Sequence, residues 1–220
     1  MIATAISGCW EGTTSKTLVT VLAVEGQPTV SSVKTNTSLA ADDHLARGAI
    51  IQTPASATVS LALLPNCLVR LEPNSSLEIR KVSLTKDGNE TGSAIRERQV
   101  EVRLQNGGVI VSQNWGQTRA RVSIITPQGE AVTPSNALFS VRVEAGATLV
   151  TCATGWVEFR PQGAENAVQI SPSSVGKWGN GGSQIGPAET EPRGQEELQT
   201  ALEAEDNLKL LLAKRRNIFP

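Results

Sequence analysis

The stretch VSIITPQGEAVTPSNALFSVRVEAGATLVTCATGWVEF, running from Val122 to Phe159, decides the fold. Side chains on an extended strand repeat every two residues. In Leu138-Phe139-Ser140-Val141-Arg142-Val143, the residues Phe139, Val141 and Val143 therefore share one face, and Ser140 and Arg142 the other. Glu144-Ala145-Gly146-Ala147 reads as a short turn, Thr148 to Cys152 as the returning strand, and Ala153-Thr154-Gly155 as a second turn into Trp156-Val157-Glu158-Phe159. Short alternating runs joined by Gly-containing loops describe an antiparallel meander with one face on a core and one in water.

The same signal extends upstream. Leu18–Val24, Pro28–Val33, Ala49–Thr53, Thr58–Leu64, Cys67–Leu71, Leu77–Ile79, Val100–Leu104 and Val109–Val111 all read as strands. Pro65-Asn66, Pro73-Asn74-Ser75 and Asn106-Gly107-Gly108 read as turns between them, and residues 80–99 as a longer hairpin with its tip at Lys86-Asp87-Gly88-Asn89. Turn signals every 8–12 residues indicate stacked short strands rather than βαβ units. The expected fold is all-β: two packed, mostly antiparallel sheets, a β-sandwich or β-roll, with a C-terminal helix.

Downstream the composition shifts. SPSSVGKWGNGGSQIGP, from Ser171 to Pro187, is rich in Gly, Ser and Pro and reads as a linker or covering loop. The last segment is helical in pattern. Leu198, Leu202, Leu208 and Leu212 form a partial apolar stripe, with Glu196 and Glu197 early and Lys214, Arg215 and Arg216 late, as the helix dipole favours. The expected organisation is a tail over residues 1–17, a β domain over 18–176, a linker over 177–192 and a helix over 193–220, docked on the β domain or serving a partner.

Composition excludes several function classes. The net charge of −1 gives no field for nucleic acid. No run approaches the roughly 20 apolar residues of a membrane-spanning helix. Aromatic content of 3%, without a single Tyr, argues against a broad aromatic recognition surface. His44 is the sole histidine, so any triad or metal centre would need it, yet neighbours in Asp42-Asp43-His44 point to opposite sides of an extended chain. No nucleophile elbow, phosphate-binding loop or zinc motif occurs, and no cofactor is expected. Carboxylates converging from separate strands could still make a glycosidase. Cys67 and Cys152 lie in strand-like apolar settings. They read as two buried thiols, or as a disulfide if their Cα atoms come within about 7 Å. Ile6-Ser7-Gly8-Cys9 resembles a bacterial lipobox, which makes Cys9 the lipidation candidate, although the preceding apolar segment is short for a signal peptide. Trp115 and Trp178 lie in Gly-rich surroundings, where an exposed ring could meet a partner; Trp156 begins a strand and reads as core.

An ordered set of short elements resembles the FecR-like family. They are LARGAIIQT (Leu45–Thr53), LALLPNCLVRLEPNSSLEI (Leu61–Ile79), LQNGGV (Leu104–Val109), TPQG (Thr126–Gly129), FSV (Phe139–Val141) and the run Thr148–Val157. The similarity spans roughly residues 19–176. It departs from the pattern where Pro65-Asn66-Cys67 replaces an Asp-Gly-Ser turn, where Gly48-Ala49 replaces Gly-Asp, and where Asn136-Ala137 replaces Gly-Thr. The resemblance implies a non-enzymatic β module outside the cytoplasm. Its best-known relatives relay a signal from an outer-membrane transporter to a sigma factor, using anti-sigma and membrane segments that have no counterpart in this sequence. The expected function is thus a cell-envelope or periplasmic module, lipid-anchored if Cys9 is the lipobox cysteine, that binds a protein or polysaccharide partner, in signalling or otherwise. A carbohydrate-active hydrolase and a purely structural envelope component are the rival readings.

Overall fold

Strands form wherever the sequence alternates, and the turns fall on residues that tolerate left-handed backbone. In this computed structural model, residues 13–32, 36–86, 95–114, 119–179 and 181–214 are described. The chain begins with β1 (Thr13–Lys16), β2 (Val19–Glu25), β3 (Thr29–Ser31), β4 (Asn36–Ser38), β5 (His44–Leu45) and β6 (Ile50–Thr53). Next come β7 (Thr58–Leu64), β8 (Cys67–Leu71), β9 (Ser75–Lys86) and β10 (Ile95–Gln113). The meander contributes β11 (Arg119–Thr126), β12 (Gly129–Thr133), β13 (Ala137–Glu144), β14 (Ala147–Thr154) and β15 (Val157–Pro161). The chain continues through β16 (Val168–Ile170), β17 (Ser174–Gly179) and β18 (Gly182–Pro187), then a 3-10 turn at Ala188–Thr190 and helix α1 (Pro192–Lys214).

The strands make two sheets that share β10. One, the open sheet, runs β4-β3-β6-β9-β10-β11-β12-β15-β16, with β1 and β6 both lying along the same edge of β9. The other, the covered sheet, runs β5-β2-β7-β8-β10-β13-β14-β17-β18. Every pairing is antiparallel except β10 with β11, which is parallel. The expected pair of mostly antiparallel sheets with a C-terminal helix is therefore what the chain forms.

β10 differs from its sequence reading. Asn106-Gly107-Gly108, expected to turn, is instead the point where one long strand leaves the open sheet and enters the covered one. Leu104 pairs with Leu77 in the first, and Val109 with Leu71 and Val141 in the second. Gly107 makes this passage possible. Its φ is +83°, and a Cβ there would stand 2.1 Å from the Ser75 hydroxyl oxygen. That hydroxyl accepts from the Gly108 N–H (2.8 Å), so no larger residue fits at 107 without undoing the joint. At the family's lost Asp-Gly-Ser turn, Asn66 takes φ +63°, a conformation that Asn adopts more readily than most residues.

The core lies between the sheets. Val59, Leu61, Val69, Leu71, Phe139 and Val141 of the covered sheet meet Ile51, Leu77, Val102, Ile124 and Phe159 of the open one, all fully buried. Each such side chain contributes about 1.5–3 kcal/mol through apolar burial.

Helix α1 covers the far face of the covered sheet, so the molecule has three layers. Its seam consists of Gly194, Glu197, Ala201, Ala204 and Leu208, with Leu198, Leu211 and Leu212 beside it. Beneath lie Leu149 and Val175, then Ile110, Leu138 and Ala153, then Leu22, Ala62 and Leu68. The docked position agrees with one of the two sequence readings. The face is different: Leu202 stays 42% exposed, while small residues meet the sheet. Residues 177–192, read as a linker, hold the end of β17, all of β18 and the 3-10 turn, and residues 13–16 of the expected tail are a strand. Arg215, Arg216 and the hairpin tip at Asp87-Gly88-Asn89 lie outside the described residues.

Candidate functional site

Two clusters of charge stand out, one closed and one open. The closed cluster lies under the start of α1. Arg142 on β13 projects from the outer face of the covered sheet, and its guanidinium lies over Gly108 of β10, whose missing side chain leaves the room. Arg142 Nε donates to Glu197 Oε1 on the helix. Arg70 on β8 pairs with Glu72 at 3.0 Å. Arg193 approaches Glu144 at 3.4 Å, Glu196 at 2.6 Å and Glu197 at 3.9 Å. Burial holds the Glu72 carboxyl above the usual carboxylate range, against the lowering pull of Arg70 and Arg142 and with Glu197 adding to the rise. Glu72 and Glu197 are thus two buried carboxylates in one electrostatic cluster. Both are engaged by arginine and neither is open to a substrate-sized molecule, so the arrangement clamps the helix to the sheet rather than presenting an acid and a base.

The open cluster is a notch in the edge of β9. Two stretches of chain are pinned there by backbone hydrogen bonds. The turn before β6 is held by the Gly48 N–H on the Ile79 carbonyl (2.8 Å), and the exit from β1 by the Thr17 N–H on the Val82 carbonyl (3.1 Å). Between those anchors the β9–β10 register slips: Lys81 faces Glu101 and Ile79 faces Val102, leaving Arg80 as an extra residue. Such a bulge re-aims side chains. Here Ile79 and Val82 both enter the core, and the consecutive Arg80 and Lys81 both point away from it. The notch has a volume of about 620 Å³, and Lys16, Leu18, Arg47, Arg80, Lys81 and Glu101 line it together with small hydroxyl side chains. Arg80 is paired with Glu78 (3.0 Å) and Glu101 (3.8 Å). Lys16, Arg47 and Lys81 have no ion-pair partner among the described residues. No sequence signal marks this site, because the bulge that builds it is a property of pairing register.

The residues singled out in the sequence fall as follows. Trp178 is not an exposed loop ring. It lies on β17, 4% exposed, stacked on Phe159 with ring centroids 4.0 Å apart, and Gly176 leaves space for its far edge. Its Gly-rich neighbourhood signals close packing. Trp156 is half-buried ahead of β15 rather than fully in the core. Cys9 and Trp115 lie outside the described residues. Cys67 and Cys152 are buried free thiols. His44 is exposed and its Nδ1 lies 3.3 Å from the Thr20 hydroxyl, while Asp43 accepts from the Ala40 N–H (2.8 Å) to close the turn before it. Among the described residues, no group of His, Cys, Asp and Glu is placed to hold a metal ion, and no helix is long and apolar enough to cross a membrane.

A family profile described as FecR protein matches residues 49–158, half of the chain. The chain belongs to the FecR family. The matched region runs from just ahead of β6 into β15, so it holds the β10 joint and the β9 bulge, while β1, β2, β17, β18 and α1 lie outside it. FecR domains are regulatory and typically periplasmic. Two crystal structures of a candidate anti-sigma factor from Parabacteroides distasonis ATCC 8503, at 1.65 and 2.50 Å resolution, are similar to it at 18% identity, with TM-scores of 0.44 and 0.42. The similar part is 62% of this chain and 57% of theirs, so the chain spans little more than half the length of those structures. Among curated proteins no match was found.

Proposed function

We propose that this FecR-family chain is a non-catalytic module of the periplasm or cell envelope that works by contact, binding a protein partner through the outer face of its open sheet. One observation carries the reading: α1 occupies the outer face of the covered sheet, while the corresponding face of the open sheet is free of any covering element among the described residues. That free face is polar and mixed in charge. Glu101, Arg103, Arg121, Glu130, Glu158 and Arg160 alternate along it with core-facing apolar residues, and Arg121 pairs with Glu130 at 3.4 Å. A broad charged face whose notch holds a single carboxylate, Glu101, already paired with Arg80, suits docking better than hydrolysis. A polysaccharide is the second class of partner, and attachment through a lipid on Cys9 would hold the module at a membrane.

Site-specific photo-crosslinking in the native host tests this. A crosslinking residue at Glu158, on the open face, is expected to give a discrete protein adduct in the envelope fraction, and one at Glu203, on the exterior of α1, is not. Equal adducts from both positions, or recovery of the chain in the cytoplasm, would overturn the reading. Intact mass of the chain from membrane fractions reports on Cys9: a lipidated N-terminal Cys supports the anchor, and an unmodified Cys9 behind a retained Met1 ends it.

A further inference from the structure

We propose that the notch beside the Arg80–Lys81 bulge binds an acidic peptide segment of a protein partner. The proposal rests on the contact reading above and locates one anchor point within it. Three features of the notch combine. First, its charge is one-sided. Lys16, Arg47 and Lys81 are exposed and unpaired among the described residues, and the lone lining acid, Glu101, is engaged by Arg80. In a chain whose net charge is −1, such a concentration is local and not a sample of a basic surface. Second, the cations come from three separated parts of the sequence, fixed by backbone rather than by flexible loops. The Gly48–Ile79 and Thr17–Val82 hydrogen bonds hold the two flanks against β9, and the register slip turns two consecutive side chains to the same side. A site held in place before binding loses less to ordering. Third, the apolar contact offered is aliphatic: Leu18 is 51% exposed at the rim. None of the lining residues is aromatic, so the notch lacks the ring that would stack on a sugar. A carboxylate-bearing peptide with an aliphatic side chain satisfies both the charges and Leu18; an acidic polysaccharide satisfies only the charges.

The test uses the full chain and a fluorescein-labelled hexaglutamate probe, read by fluorescence anisotropy at low ionic strength. Binding is expected, weakening as salt is raised. The R47E/K81E variant should lose at least about ten-fold in affinity, the neutral R47Q/K81Q variant less, and R160E, an exposed reversal on the same sheet outside the notch, should change it by no more than about two-fold. All three sites are exposed, and unchanged thermal melting verifies that each variant is folded. Absence of probe binding, an equal loss in R160E, or displacement of the probe by an oligogalacturonate of equal charge as readily as by unlabelled hexaglutamate would each overturn the proposal. Should that happen while the Glu158 crosslink persists, the notch assignment fails and the contact reading stands. Loss of the crosslink with probe binding intact is the reverse case.

Discussion

Cys67 and Cys152 sit on strands facing the core, and desolvation keeps both in the thiol form; burial pushes the Cys152 thiol up to about 11 and raises that of Cys67 as well. In a Cys9→Ser background, a thiol reagent such as DTNB should therefore titrate almost nothing in the native protein and both thiols once guanidinium unfolds it. Rapid labelling of the native chain would mean the strands open far more readily than their burial implies. Arg142 and Glu197 make a sharper case. Removing only one charge leaves the other buried and alone, so Arg142→Ala should cost about 3–5 kcal/mol, whereas replacing both with apolar residues of similar size should cost much less. A double-mutant cycle by denaturant unfolding reads this directly. Glu72 supplies a pH signature. Its folded-state pKa is raised, so its contribution to stability is full below the ordinary carboxylate value and is lost as pH rises through the raised one. The melting temperature of the wild type relative to Glu72→Gln should accordingly fall as pH is raised from about 4 into the neutral range. At this scale the sequence was only partly legible. The buried character of both cysteines followed from their alternating apolar neighbours. The packing of Trp178 did not, because a Gly-rich stretch reads as loop until one sees that Gly176 is small in order to lie beneath a ring.

Among the elements, α1 teaches most about what patterning reveals. Its existence was readable from periodicity and charge order, and its docking was one of two readings left open; its buried face was not legible, since Leu202 counts for more than Ala201 on any hydrophobicity scale while shape decides the contact. Small residues let the helix lie close to the sheet: a Cβ on Gly194 would stand 3.1 Å from Val175. Leu208→Ala should then cost about 2–5 kcal/mol, and Leu202→Ala less than about 0.5 kcal/mol. Similar costs at both positions in thermal or chemical unfolding would put the helix in a different rotation. β7 and β8 were legible to the residue, because each is a clean apolar run between turn residues. β10 was not: a Gly-Gly pair is the usual mark of a turn, and only the Ser75 hydroxyl and the two sets of pairing partners turn it into a bend within one strand. The bulge at Arg80 was hidden for a related reason, since two adjacent charged residues look the same in a loop and at a register slip.

For the molecule as a whole, alternation over some hundred and fifty positions was enough to specify two sheets, and an ordered set of weak elements was enough to point to the FecR family. The division into surfaces emerges only in the folded chain: one outer face sealed by a helix, the other left bare among the described residues, with cations gathered at its edge. The joint in β10 gives that division a mechanical meaning. Its backbone runs unbroken from the bare sheet into the one beneath α1. The two faces are thus tied by one unbroken covalent span rather than across a slack tether.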